Sequence, residues 1–276
     1  MRWQGLARIA GCIAVLLLLT HPVYPAFEYS HCSGTSTALA GAVDLFAGAP
    51  LDLAYQPALT ASPGFQFEAS ASRLFNLSDF TLSCAGARAG HGPFTLGLAT
   101  TQLTGSDFYR ERSYQLNAAV TLRGWLCAGM TVSYRELEYA GNYSELSATS
   151  LSAGLLARPV AEFRVAVSML EINQPRFFAG EVCAPRSSLV SLAYAFADDL
   201  CWYLTYRITA DLPDRLSLGQ SWTLHRRVTL RLGVRNQPLD LCGGLSVELG
   251  GFSFDYSYTN NVYLGGTHQL GLRYER

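Results

Sequence analysis

Phe252-Ser253-Phe254-Asp255-Tyr256-Ser257-Tyr258 places an aromatic ring at every second position, with a small or acidic residue between. The same alternation runs through Leu126-Cys127-Ala128-Gly129-Met130-Thr131-Val132-Ser133-Tyr134-Arg135 and through Val228-Thr229-Leu230-Arg231-Leu232-Gly233-Val234-Arg235. Successive side chains of a strand point to opposite faces, so each segment presents one apolar and one polar face. No stretch after residue 64 carries a helical period. Outward from these runs, turn residues divide 64–276 into about fourteen segments. They start near residues 64, 79, 92, 112, 125, 147, 161, 186, 200, 214, 227, 240, 251 and 266. Each strand with its turn then takes about 15 residues, which suits a tilted membrane strand of roughly 9–11 residues plus a short connection.

Alternation alone does not separate a soluble sandwich from a membrane barrel, because both have one apolar face. Three features favour the barrel. Connections alternate in length. Tight turns are expected at Gly90-His91-Gly92, Arg123-Gly124, Arg158-Pro159, Asp198-Asp199, His225-Arg226 and Gly250-Gly251. Longer loops around Thr104–Glu111, Ala140–Ser144, Asn173–Pro185 and Asn260–Gly265 follow the odd-numbered strands. Aromatic residues also band: Trp125, Trp202 and Trp222 lie toward the tight-turn ends, and Tyr134, Tyr206 and Tyr258 toward the other, as in two interfacial girdles. Finally, the polar parity is rich in Gly, Ser, Thr and charge, which suits an interior holding water or a plug.

The composition agrees. Of 276 residues 49% are hydrophobic and 15% charged, well below the ~25% charge of an ordinary soluble domain. Net charge is −1, without the basic excess of a nucleic-acid binder, so no nucleic-acid partner is expected. Ile9–Thr20 is the one strongly apolar run, too short to span a membrane as a helix. Arg2 and Arg8 precede it and Pro22 and Pro25 follow, the order of a secretory signal peptide over residues 1–26. Cys12 lies too early in that run for a lipid anchor. Six cysteines follow, Cys32, Cys84, Cys127, Cys183, Cys201 and Cys242, with no metal-binding spacing. Export permits disulfides among them, and small apolar strand residues are an equal reading.

Residues 27–63 differ from the rest: small-residue-rich, non-alternating, and carrying Glu28, Asp44 and Asp52 but no arginine. Thr37-Ala38-Leu39-Ala40-Gly41-Ala42, Asp52 and the turn Tyr55-Gln56-Pro57-Ala58-Leu59 resemble the N-terminal element of PorV/PorQ-type outer-membrane proteins, a branch of the FadL-like barrels. Gln56 stands where that family usually has Asn. Leu74-Phe75-Asn76-Leu77 and Leu264-Gly265-Gly266-Thr267-His268 are also similar to the family. The resemblance implies a fourteen-stranded barrel, with Asp52, Gln56 and Pro57 as its candidate family turn. It also implies association with type IX-like secretion machinery or exported proteins.

The expected architecture is therefore all-β: a transmembrane antiparallel β-barrel of about 14 strands over 64–276, with a plug-like segment over 27–63. Its expected place is the bacterial outer membrane, with membrane lipid as its surroundings. Charges on the inward parity cannot face mid-membrane lipid, where each costs roughly 2–4 kcal/mol. Arg135, Arg164, Arg207 and Arg231, with Glu162 and Glu248, are the candidate lumen charge network. An internal network packed against the acidic N-terminal segment is preferred over an electropositive passage for anions. The loop Gln174-Pro175-Arg176-Phe177-Phe178-Ala179-Gly180 either folds into the lumen or meets a partner. Catalysis finds no support: Gly219-Gln220-Ser221 lies in a strand segment, outside the strand-turn-helix setting of a nucleophile, and no cofactor loop is present. Two functions follow: a non-enzymatic component engaging exported proteins or secretion partners, and a FadL-like channel for small hydrophobic molecules.

Overall fold

The computed structural model describes residues 32–59, 64–139, 146–177 and 183–276. The signal segment over 1–26, the loop around Ala140–Ser144 and Phe178 lie outside the described residues. Fourteen antiparallel strands close into one barrel. They are β1 (Gly64–Arg73), β2 (Phe80–His91), β3 (Phe94–Gly105), β4 (Tyr109–Arg123), β5 (Leu126–Tyr139), β6 (Leu146–Val160) and β7 (Phe163–Leu170). The circuit continues through β8 (Ser187–Ala197), β9 (Leu200–Thr209), β10 (Arg215–His225), β11 (Val228–Arg235), β12 (Asp240–Leu249), β13 (Phe252–Asn261) and β14 (Gly265–Glu275). Each strand pairs with its sequence neighbours, and β14 closes on β1 with Phe67 opposite Tyr274 and Arg73 opposite His268.

The alternation sorts as the sequence implies. On β13 Phe252, Phe254, Tyr256 and Tyr258 face outward, while Ser253, Asp255 and Ser257 are buried inside. Strand starts fall within three residues of the expected positions. Two-residue turns join the even strands to their successors, at 92–93, 124–125, 161–162, 198–199, 226–227 and 250–251. One turn moves. Arg158-Pro159 belongs to β6, and the chain reverses at Ala161-Glu162. The β6–β7 register shifts between Ala157 and Val160, and proline, having no N–H to give a ladder, occupies that irregularity. Trp125, Trp202 and Trp222 are exposed on the outer wall near the tight turns, and the Trp222 indole donates to Asp199 Oδ2 at 3.3 Å.

Residues 32–59 fill the lumen. The segment opens with the five-residue helix α1 (Gly34–Ala38), continues irregularly, and makes a 3-10 turn over Pro50–Ala54. Leu39, Val43, Leu45, Leu53, Tyr55 and Leu59 bury their side chains against inward residues of β5 to β9, including Cys127, Leu156, Leu189 and Tyr203. Glycines on the wall let the plug backbone come close. A Cβ at Gly129 would collide with the Pro57 carbonyl, and one at Gly233 with the Leu39–Ala40 peptide. Replacing Gly129 by Val therefore displaces the plug without touching the outer face. We expect a loss of about 2 kcal/mol from this overpacking, read as a lower temperature for loss of the compact band in heat-dependent gel mobility.

Candidate binding cavity above the lumen plug

An irregular chain inside a barrel leaves backbone groups that must find partners on the wall. Nearly every part of the plug is tied this way. Cys32 O accepts from Ser70 Oγ at 2.5 Å and Gln269 Nε2 at 2.6 Å. Ala40 O accepts from Ser217 Oγ at 2.9 Å, and Val43 N donates to Thr205 Oγ1 at 3.2 Å. Arg164 Nη1 donates to Leu45 O at 2.5 Å while its guanidinium lies 4.4 Å from the Phe46 ring centroid. Leu51 N donates to the buried Glu68 Oε2 at 3.2 Å, and Pro57 O accepts from Asn117 Nδ2 at 3.0 Å. A disulfide between Cys32 and Cys84 joins the first described plug residue to β2, with Cα atoms 5.8 Å apart.

The candidate family turn is part of this anchoring. Gln56 Oε1 accepts from Ala58 N at 3.3 Å, capping the turn, and from Ser168 Oγ on β7 at 2.8 Å. Its Nε2 donates to Leu155 O on β6 at 3.3 Å. Glutamine has the length to do both. Asp52 is fully buried; its Oδ1 accepts from Ser36 Oγ at 2.6 Å, and its carbonyl accepts from Tyr55 N and Gln56 N. It thereby joins α1 to the turn that carries Gln56 and Pro57.

The candidate charge residues do not form one network. Arg164 holds the plug. Arg231 reaches Ser246, which in turn donates to Asp255, with the Arg231–Asp255 ion pair at 3.9 Å. Arg135 pairs with Glu171 near the long-loop end, and Arg207 Nη2 donates to Ser187 Oγ at 3.2 Å. Glu162 and Glu248 are exposed at the tight-turn rim, away from the lumen, because the strand ends there have already left the interior. The pattern reading missed Arg88, whose Nε donates to Gln66 Oε1 at 2.6 Å and whose Nη2 reaches Ala47 O at 3.4 Å. Its inward parity with Leu82, Cys84 and Gly86 is the signal that marks it. Asp240 and Glu171 were missed too, since both sit at strand ends where parity fades. Cys127, Cys183 and Cys242 are buried thiols, and burial in the β7–β8 loop pushes the Cys183 thiol up to about 11.

Above the plug, at the long-loop end, lies a cavity of about 1480 Å³. Thr37, Ala40 and Gly41 of the plug floor it. Leu74, Leu82, Leu103, Leu137 and Phe177 line the side from β1 to the β7–β8 loop, and Arg215, Arg235, Asp240 and Asn261 the side from β10 to β13. Phe177 folds inward against Leu137, Cys183 and Ala184, so this part of the aromatic loop shapes the cavity. Two acidic groups of the lining are engaged: Asp240 with Arg235 and Asn261, Glu111 with the Tyr109 hydroxyl.

The fourteen-stranded barrel has solved counterparts of similar fold. The chain superposes on the CymD monoaromatic hydrocarbon channel with a TM-score of 0.64 at 13% identity, covering 91% of this chain and 98% of that one. The toluene transporter TodX of P. putida gives 0.62 at 10% identity, covering 90% and 97%. A FadL homologue of Pseudomonas aeruginosa gives 0.60 at 10%, covering 88% and 95%. No family model and no curated protein matches the sequence. At these identities the likeness is one of fold, and the fold is that of bacterial outer-membrane barrels.

Two variants test the lumen. Arg231→Glu sets a carboxylate against buried Asp255 and should cost about 3–5 kcal/mol in barrel stability. The double exchange with Asp255→Arg should recover part of it in the same heat-mobility assay. Cys84→Ser opens a ring of 52 residues of sequence separation, which on chain entropy removes roughly 4 kcal/mol. Limited proteolysis should then cut the plug at least tenfold faster while the barrel fragment persists.

Proposed function

We propose that this chain is a non-enzymatic outer-membrane channel for small hydrophobic molecules, exported through a signal peptide over residues 1–26 and gated by the plug over 27–63. The observation that carries this reading is the cavity: large enough for a small ligand, lined by Leu74, Leu82, Leu103, Leu137 and Phe177 along part of its wall, and floored by the plug. The likeness in fold to a monoaromatic hydrocarbon channel and a toluene transporter supports it. Lumen arginines serve the reading as plug fasteners. Arg164 and Arg88 hold plug carbonyls and Arg231 holds a wall carboxylate, while Arg235, in the cavity lining, is paired with Asp240.

Passage requires the plug to rearrange, because its side chains occupy the lumen below the cavity. The irregular stretch between α1 and the 3-10 turn is held by its own short turns, such as Ala42 N to Leu39 O and Gly48 N to Asp44 O, and by the wall contacts, so opening breaks both. The secretion role implied by the PorV/PorQ-type resemblance draws no support from the structural neighbours. A stable complex with an exported protein, surviving mild detergent extraction, would favour it instead.

Binding of naphthalene to the purified chain in amphipol, followed by its fluorescence, tests the channel reading. We expect saturable binding that weakens at least tenfold in Leu82→Asp and Leu103→Asp variants that retain heat-dependent mobility. Absence of saturable binding by the unaltered chain would overturn it.

A further inference from the structure

On the outer wall toward the long-loop end, the band of aromatic rings gives way to a cation on β1. Tyr256 and Tyr258 of β13 meet His268 of β14, with Tyr256 Oη 2.8 Å from His268 Nδ1 and the Tyr258 and His268 rings 4.9 Å apart. Register carries this outward row from Tyr258 through His268 to Arg73 on β1 and Thr81 on β2, each directly opposite the last. Such neighbours have Cβ atoms roughly 4.5–5.5 Å apart. The row continues through Thr104 and Arg110 to Glu138, four residues beyond Tyr134. Tyr134 and Tyr258 belong to one band, so the row climbs those four residues across the strands from β13 to β5, as strand tilt in a closed barrel requires. Arg73, early in that climb, stands just above the rings, at headgroup level.

The other outward arginines at this end of the strands differ. Arg110 and Arg112 are cross-paired with Glu136 and Glu138 at 3.4–3.8 Å. Arg73 is exposed and has no carboxylate partner among the described residues. Asp79, just before β2, accepts instead from Ser78 Oγ at 2.9 Å. Arg186 is exposed too, but it lies four residues beyond Val190, which stands opposite Tyr206, and so sits well above the rings. An exposed guanidinium at headgroup level with no acid of its own chain beside it meets the anions of the membrane.

Below Arg73 the wall is hollowed. The outward positions of β2 are Thr81, Ser83, Ala85, Ala87 and Ala89, and those of β1 next to Arg73 are Ala71 and Ala69. No other described strand carries five successive outward residues none larger than threonine. Leu270 of β14, 66% exposed, and Leu98 of β3, 62% exposed, stand up on either side. Phe67 closes the β1 side from below. The furrow thus starts under the cation and descends into the hydrocarbon. Beside its head, Gln102 Nε2 donates to Thr104 Oγ1 at 3.3 Å on the outward face of β3.

We propose that this wall binds a phosphorylated glycolipid of the outer leaflet. Arg73 takes a phosphate, for which a guanidinium's paired donors are matched. His268 adds Nε2, since Nδ1 is engaged by Tyr256. Thr81, Ser83 and Gln102 offer hydrogen bonds to sugar hydroxyls, and one acyl chain lies in the furrow over Ala71 and Ala85. A phosphomonoester on a sugar suits the site better than a choline headgroup, which brings its own cation beside the phosphate. The site is on the outside of the barrel, separate from the cavity, and stands whether or not the chain is a channel.

The test is native mass spectrometry of the full chain released from micelles holding equal amounts of diphosphoryl lipid A and its dephosphorylated form. The unaltered chain should retain the phosphorylated lipid about tenfold better, and Arg73→Ala should lower that retention about fivefold. Arg112→Ala, at a paired arginine, should leave it unchanged. Ala85→Leu fills the furrow without touching a charge, should lower retention about threefold, and carries the test if Arg73→Ala fails to fold. Naphthalene binding should stay the same in each variant that keeps heat-dependent mobility. Equal retention of the two lipids, unchanged retention in Arg73→Ala and Ala85→Leu, or displacement of the lipid by excess inorganic phosphate overturns the lipid site.

Discussion

The interior of this barrel depends on finding hydrogen-bond partners for a plug that has little secondary structure of its own. Inside a helix or sheet each N–H and C=O is paired by the fold; in residues 32–59 local turns pair only some of them. The wall supplies what is missing, through Ser70, Gln269, Ser217, Thr205, Asn117, Glu68 and the guanidiniums of Arg88 and Arg164. An unpaired backbone group in such a place costs roughly 1–3 kcal/mol, so the polar inner face is a structural requirement before it is anything else.

That requirement divides the lumen. Below, the plug and the inward residues of β5 to β9 form an apolar cluster of ordinary core type around Leu39, Val43, Leu53 and Leu156. Above, the plug gives out, and the space left over is the cavity. Its floor is therefore plug surface and its walls are strand residues, so the channel proposed above would open by movement of the plug. The disulfide at Cys32 and the chain continuity toward Gly64 hold that element at both ends. Opening is accordingly a matter of rearranging the middle.

The strands were legible because parity is local. Phe252 to Tyr258 declares its two faces with no help from the rest of the chain, and the turn residues mark where each run stops. Pro159 shows the limit: a proline suggests a turn, but an irregular ladder can hold one, and only the pairing of β6 with β7 reveals that. Gln56 and Asp52 were singled out through a resemblance; the wall contacts that explain Gln56, to Ser168 and Leu155, come from residues about a hundred positions away, and Asp52 is explained within the plug by Ser36. Glu162 and Glu248 were misplaced because parity counts inward from a strand centre and loses meaning at its ends.

By itself, then, the sequence determined a closed, alternating wall of about fourteen strands, its two aromatic girdles, and an N-terminal segment unlike the wall. These follow from the period-2 geometry of a strand and from the cost of charge in lipid, both of which act residue by residue. Tertiary structure alone decided which arginine meets which carbonyl, that Cys32 finds Cys84, and where the cavity opens. Those facts depend on which strands closure and register bring together around the plug, and no local pattern carries that information.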